Sequence, residues 1–391
     1  MSSRSPISLG RITTTLIFLA LTVFILSVAR NFLIPLAFGI LFAFVLLPVC
    51  NFFERYLKIR LISIFISFLV ILLPFLGVIS FFGFEFVRLV NGIPSIGKQL
   101  KEGLYNILNW TQENLNFGME EATQWIRTNI STLIDAPLSF LTSSLSSSTS
   151  ILVGAVLIAL YTFFMLWYRT SIRNFFIYQF GENTREEAET LLTGIQKVMQ
   201  EYLSGIGLVM LILGILNSTG LWLIGIDYPF FWGFLGALLA IIPYIGTTLG
   251  GVLPFLYALA TTHTFWQPAA IVVMYFGIQQ LEGHFITPKV VGSSVQINPM
   301  AAIIALIAGG FLWGIAGLIL AIPLMAALRI LMMHIDYLKP VSELLGEQLY
   351  RNSEVFREKY DDDRYRLISF FRKIENKDTG SGKPEAGSEN P

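Results

Sequence analysis

Between Tyr202 and Arg329 the chain carries three formal charges, Asp227, Glu282 and Lys289. Two of them lie in one polar island, Gln279 to Lys289, flanked by long apolar stretches that Gly and Pro interrupt. A charged side chain in lipid costs roughly 2.5–3.5 kcal/mol on insertion scales, so a chain that faces lipid keeps few. An acid, a base, a histidine and paired amides held together in such a stretch either sit at the water interface or line the route of something that crosses.

Composition agrees with that reading. Of 391 residues, 54% are hydrophobic and 13% charged, whereas a soluble chain carries about 25% charged residues. Charge-free windows of spanning length recur, the mark of transmembrane helices. The expected fold is all-α: a polytopic bundle of about eight hydrophobic segments, two of them broken or hairpin-like. Barrel strands would instead alternate over about 10 residues. Net charge is zero and the basic residues are dispersed, which gives nucleic acid no footprint. Cys50 is the only cysteine, so an intrachain disulfide and a thiolate metal site are excluded. His263, His284 and His334 form no H-E-x-x-H pattern, and no Walker A sequence occurs. Neither an enzyme, a metal nor a cofactor is expected, and the chain has no ATPase motif of its own.

The apolar windows run over 12–29, 32–52, 61–84, 150–168, 203–226, 229–262, 265–281 and 299–328. The first follows Arg4 and Arg11 and could pass for a signal peptide, but the second begins almost at once, so a retained helix is the expectation. Window 229–262 is long for one crossing and short for two, and Pro243-Tyr244-Ile245-Gly246 divides it. Window 299–328 is divided around Gly309-Gly310 and marked again by Gly314, Gly317 and Pro323. Lys and Arg in the short loops place both termini in the cytoplasm. Residues 1–89 then hold helices 1–3, and 90–148 form an external, amphipathic helical region. Residues 149–338 hold the remaining spans with a cytoplasmic helix at about 184–201, opened by the Thr184/Glu187 capping box. Residues 339–391 are a cytoplasmic tail, disordered from about 374.

Within this frame Glu282 sits near the cytoplasmic end of 265–281, with Gln279 one turn back and Gln280 beside it. Such a group can coordinate a cation, take a proton or bind hydroxyls. The structural alternative is a helix cap or an ion pair with Lys289. Lysine at a span end commonly snorkels to the interface, and interfacial His284 is more often exposed than a relay. Tyr244, Thr247 and Thr248 offer three hydroxyls where Pro243 and Gly246 free the backbone. Unwound backbone at membrane depth is tolerated where it is buried or lines a cavity; a plain kink is the alternative. Asn217 and Asn298 are further polar breaks, and Pro288 is expected to interrupt the helix after Glu282. Glu85 and Arg88 are spaced as an interfacial helix pair.

An internal echo links the two broken windows. Trp232-Gly233-x-x-Gly236-x-x-x-Ala240-Ile241-Ile242-Pro243 recurs as Trp313-Gly314-x-x-Gly317-x-x-x-Ala321-Ile322-Pro323. It is either a repeated unit of helix, turn and Gly-faced helix, which in transporters points to the binding site, or the ordinary reuse of small residues at packed membrane faces.

Three blocks make the chain resemble the autoinducer-2 exporter family of permease-like bacterial inner-membrane proteins. They are Pro243-Tyr244-Ile245-Gly246, Gln280-x-Glu282-Gly283-x-x-x-x-Pro288-Lys289-x-x-Gly292, and Gly314-x-x-Gly317-x-x-x-Ala321-x-Pro323. Two stretches depart from the family's common pattern: Thr247 stands where Pro is frequent, and Ile297-Asn298-Pro299 where Leu-His-Pro is. The resemblance implies secondary transport without ATP, in a homo-oligomer, of the quorum-sensing signal autoinducer-2 or, in some members, antiport of Na⁺ or Li⁺ against protons. The leading expectation is export of a small polar solute past Glu282 at the cytoplasmic mouth. The alternatives are a cation/proton antiporter using Glu282 and a non-transporting membrane scaffold. Expected partners are the lipid bilayer, the small polar solute, Na⁺ or H⁺ under the antiport reading, and further copies of the chain.

Overall fold

The computed structural model describes residues 9–92, 148–181, 184–242, 245–262, 264–290 and 297–347, with Phe356, Tyr360 and Tyr365. The expected external region and tail fall almost wholly outside these residues, as do Pro243 and Tyr244. The described chain is helical, with one isolated bridge between Ile297 and Gly346. Its helices are α1 (Leu9–Val28), α2 (Arg30–Leu57), α3 (Arg60–Gly92), α4 (Ser148–Trp167), α5 (Arg169–Tyr178), α6 (Arg185–Ile224), α7 (Pro229–Leu239), α8 (Ile245–Thr261), α9 (Trp266–Leu281), α10 (Thr287–Val290), α11 (Pro299–Met333) and α12 (Lys339–Leu344).

Among the described residues, α2, α3 and α6 are each long and apolar enough to cross a membrane, and α11 is so by its total length, although it turns back at Gly314. The α4–α5 pair, bent by 67°, makes a fifth if counted as one span. The other apolar helices are shorter, α7 at 11 residues, α8 at 17 and α9 at 16. Large apolar side chains stay exposed along these helices, among them Phe311, Val273, Leu223 and Phe276. In water such surface would be unfavourable; facing acyl chains it is the expected exterior. The 185–201 stretch and the apolar window after it form one helix, α6, with Glu186 and Glu187 in its first turn, where the helix dipole favours acids.

The chain divides into two compact units. One comprises residues 35–172 and 199–294. Here α2, α3 and α4 meet around Ala43, Leu46, Cys50, Ile64 and Leu166. Gly39 lets α4 come close: a Cβ there would lie 2.6 Å from Tyr161 Cβ, and Thr162 Oγ1 donates to Gly39 O at 3.2 Å. At the end of α4, Arg60 donates to Leu166 O at 2.9 Å, and Arg169 pairs with Glu54. A second core joins Leu89, Leu221, Ile226, Phe231, Trp232, Tyr257, Ala258 and Ile271. The turn from α6 into α7 is tight, with Gly225 and Tyr228 both in left-handed backbone (φ 82° and 56°).

Helices α7 and α8 form a hairpin whose legs touch at two glycines. A Cβ on Gly250 would stand 2.8 Å from Gly236 Cα, and one on Gly246 would collide with the Leu239 carbonyl. The 229–262 window is thus divided where Pro243 predicts.

The other unit comprises residues 1–34, 173–198 and 295–391. Its α11 also doubles back. Gly314 is non-helical (φ 60°, ψ −135°), and a Cβ on Gly309 or Gly317 would strike the other's carbonyl. In a straight helix residues eight apart would be about 12 Å away, so residues 299–313 and 315–333 are two legs. The turn falls at Gly314, not at Gly309-Gly310; those glycines lie on the first leg, where Gly309 admits Gly317. Pro323 is buried inside the second leg without ending it. Asn298 caps the first leg, accepting from Ala301 N at 2.8 Å. Its amide also donates to Leu344 O at 2.7 Å and Gly346 O at 3.3 Å. Buried Arg329 donates to Ser342 O, and Ser342 Oγ returns a bond to Arg329 O, both 3.2 Å. Trp313 Nε1 donates to Leu26 O of α1 at 3.0 Å.

The sequence echo therefore has two geometries. Gly233 lies within α7, against Ser218 of α6, whereas Gly314 is itself the turn.

Candidate functional site

The α6–α9 unit contains a narrow niche, with room for about one water molecule, lined by Leu213, Asn217, Gly236, Thr247, Tyr275, Ile278, Gln279 and Glu282. Helical spacing explains the set. Leu213 and Asn217 are one turn apart on α6. Tyr275, Gln279 and Glu282 follow i, i+4, i+7 on one face of α9 and its continuation. Gly236 supplies a floor without a side chain, and its approach to Gly250 brings the start of α8, with Thr247, alongside. Because Gly236 also lies 3.3 Å (from a built Cβ) from Tyr275 Oη, any larger residue there would fill the niche.

Polar groups in the niche are unevenly satisfied. Asn217 is buried; its Nδ2 donates to Gly233 O at 3.5 Å, while its Oδ1 has no protein partner. Tyr275 Oη is buried and likewise has none. An orphaned polar atom in an apolar interior costs about 1–3 kcal/mol. Two such atoms face one niche beside a half-buried carboxylate, an arrangement that a water or another polar guest would satisfy.

Glu282 does not end its helix. The chain continues through a π turn, Glu282–Ile286, into α10. Thr287 N–H reaches back five residues to Glu282 O, and His284 Nδ1 lies 3.0 Å from Gln280 O. A π turn widens the helix, which accommodates Pro288 within α10 instead of a break. Single π turns recur at functional sites because they re-aim side chains.

Of the residues expected from sequence to line a path, Asn217, Thr247, Gln279 and Glu282 converge here. Gln280, Thr248 and Lys289 are exposed and lie outside the lining. The alternative of an ion pair between Glu282 and Lys289 is not realised: α10 carries Lys289 away along the helix. Asn298 is in the other unit, with its side chain committed to capping and to the 344–346 carbonyls. Tyr275 was missed. An aromatic in an apolar span reads as core, although its register with Gln279 and Glu282 was available. Glu85 and Arg88 do pair, at 3.2 Å. No cluster of three or more His, Cys, Asp or Glu that could hold a metal occurs among the described residues.

A multi-pass helical protein with spanning apolar helices, broken hairpins and a polar niche within the bundle is a membrane transporter in class. More particularly, the chain belongs to the AI-2E transporter family: residues 15–336 match the sequence pattern of the AI-2E family transporters. Its relatives include YrrI of Bacillus subtilis, whose name assigns it a transport role provisionally, at 27% identity over 78% of this chain and 87% of YrrI. A Borreliella burgdorferi protein, named in the same provisional way, is 24% identical over 80% and 84% of the two chains. TqsA of Escherichia coli, named an AI-2 transport protein, is 21% identical over 77% and 86%.

Proposed function

We propose that the protein is a secondary transporter, or permease, that exports a small polar solute, and that the α6–α9 niche is its binding station with Glu282 at the cytoplasmic mouth. The observation that carries this is the convergence of Asn217, Thr247, Tyr275, Gln279 and Glu282, two with orphaned buried atoms, inside an apolar unit. Autoinducer-2 is the first solute to test, given the name of TqsA. The reading includes a bacterial cytoplasmic-membrane location, both termini in the cytoplasm, and a homo-oligomer burying part of the exposed apolar surface.

A second reading, sodium (or lithium)/proton antiport, draws on the same residues. The Glu282 carboxylate, Asn217 Oδ1, the Gln279 carbonyl and the Thr247 hydroxyl are hard oxygen donors of the kind alkali cations take. Vesicles reconstituted with the full chain separate the readings. Furanone efflux without sodium dependence supports the exporter, and sodium-dependent proton flux supports the antiporter. Absence of both fluxes favours the scaffold.

A further inference from the structure

Helix α4 is 20 residues long, about 30 Å at 1.5 Å per residue, which matches the hydrocarbon core of a bilayer. It completes a crossing without α5. After Trp167 the chain turns by 67° into α5, and α2 and α3 pin the corner. Arg60, which opens α3, donates to Leu166 O at 2.9 Å. Arg169, which opens α5, pairs with Glu54 in the last turn of α2. A helix turned 67° from a span lies nearer the membrane plane than its normal, even allowing the ~20° tilt usual for spans.

Two faces of α5 differ sharply. Tyr168, Ile172, Phe175 and Phe176 follow i, i+4, i+7, i+8; Thr170, Arg173 and Asn174 lie opposite, around half-buried Ile177. Phe175 is 59% exposed and Phe176 48%. This apolar face continues the outer surface of α4, since the Tyr168 ring stacks on exposed Phe164 at 6.1 Å. The polar face turns to protein, where Arg173 donates to Glu189 of α6 at 2.6 Å. No side chain of α5 is buried. Isolated helices shorter than about 12–15 residues are marginal in water, so a 10-residue helix with no buried side chain needs an apolar surface to lie on.

We propose that α5 is an interfacial helix whose Tyr168, Ile172, Phe175 and Phe176 rest in the headgroup–acyl boundary of the leaflet where α4 ends. The partner is the lipid surface itself. Contact is apolar rather than ionic, because both arginines of α5 are committed, to Glu54 and Glu189. Such helices sink their apolar face roughly 5–10 Å into that boundary. Seated there, α5 fixes the depth of α4 in the bilayer, whatever solute the protein carries.

Spin labels on the full-length protein in vesicles supply the test. Phe175→Cys, Phe176→Cys and Asn174→Cys each carry a nitroxide, and electron paramagnetic resonance compares collisions with oxygen, which concentrates in lipid, and with a water-soluble nickel chelate. Wild type is the blank, because Cys50 is 0% exposed. The oxygen-to-nickel ratio at positions 175 and 176 should exceed that at 174 by about threefold or more, equally in phosphatidylcholine and in phosphatidylethanolamine/phosphatidylglycerol vesicles. Ratios at 175 and 176 equal to that at 174 would put the face in water and overturn the proposal. Labels at 175 and 176 shielded from both reagents would mean a protein cover, such as a second copy, and would overturn it equally. A high ratio only where phosphatidylglycerol is present would overturn the apolar mode of contact.

Discussion

Substituting Gly250 with alanine tests how the hairpin makes the niche. The new Cβ would stand 2.8 Å from Gly236 Cα and 3.1 Å from Gly236 O. Carbon atoms are comfortable at about 3.5–4.0 Å, so the legs must part by roughly 1 Å. The obstacle is backbone, which no rotamer change can clear. Overpacking of this kind costs about 1–3 kcal/mol. Part of that is hidden by the gain of up to about 1 kcal/mol from replacing a helical glycine with alanine. Gly277→Ala provides the correction. Gly277 is also inside a helix, but a Cβ there meets nothing within 4 Å. The propensity gain is common to both variants, so their difference isolates the clash. Thermal midpoints of the two full-length proteins in detergent give that difference: Gly277→Ala should melt above wild type, and Gly250→Ala below Gly277→Ala by the equivalent of about 1–3 kcal/mol. Because Thr247 and Gly236 flank the same gap, Gly250→Ala should also slow transport. Equal midpoints for the two variants would refute the close-packed hairpin and the niche built on it.

Gly314→Ala forces a side chain into φ 60°, ψ −135°; it should destabilise the protein by about 1–3 kcal/mol, read as a lowered melting midpoint. Asn298→Ala removes a helix cap worth about 0.5–2 kcal/mol and the bonds to Leu344 and Gly346. Limited proteolysis should then cut faster between α11 and α12; an unchanged digestion rate would contradict the structural role given to Asn298. Tyr275→Phe deletes a hydroxyl that has no protein partner. Stability should hold or rise by about 1 kcal/mol while transport falls, and a parallel loss of both would mark Tyr275 as a packing residue.

Much of this was readable in the residues. The scarcity of charge announced lipid, and proline with glycine divided the 229–262 window where the α7–α8 hairpin turns. Asn217, Thr247, Gln279 and Glu282 stood out because polar groups in an apolar stretch have few neutral explanations. What sequence could not supply was the partner of each group. Asn298 and Asn217 are the same residue type in similar apolar surroundings. Only the fold reveals that one finds the carbonyls of residues 344 and 346 and the other leaves an oxygen facing a niche. The six residues between Glu282 and Lys289 leave an ion pair open as an alternative; a π turn instead keeps them helical and separates the charges. The Trp-Gly echo marked both hairpins, but identical dipeptides cannot tell which glycine turns the chain. That depends on whether the preceding helix presents a small residue to receive it, as Ser218 does for Gly233. Tyr275 was hidden because a lone tyrosine in an apolar span resembles any core aromatic.

The central claim is that solute passes through the niche between α6 and α9, in contact with Glu282. It is tested most directly by comparing Glu282→Gln with Gln280→Ala in reconstituted vesicles, following both furanone efflux and sodium-dependent proton flux. Loss of a hydrogen bond to a charged group is worth about 1.5–3 kcal/mol, so Glu282→Gln should lower whichever flux the wild type shows by roughly ten- to a hundredfold. Gln280, adjacent but exposed and outside the lining, should tolerate alanine with flux near that of wild type. Wild-type flux in Glu282→Gln, or equal losses in both variants, would contradict the account.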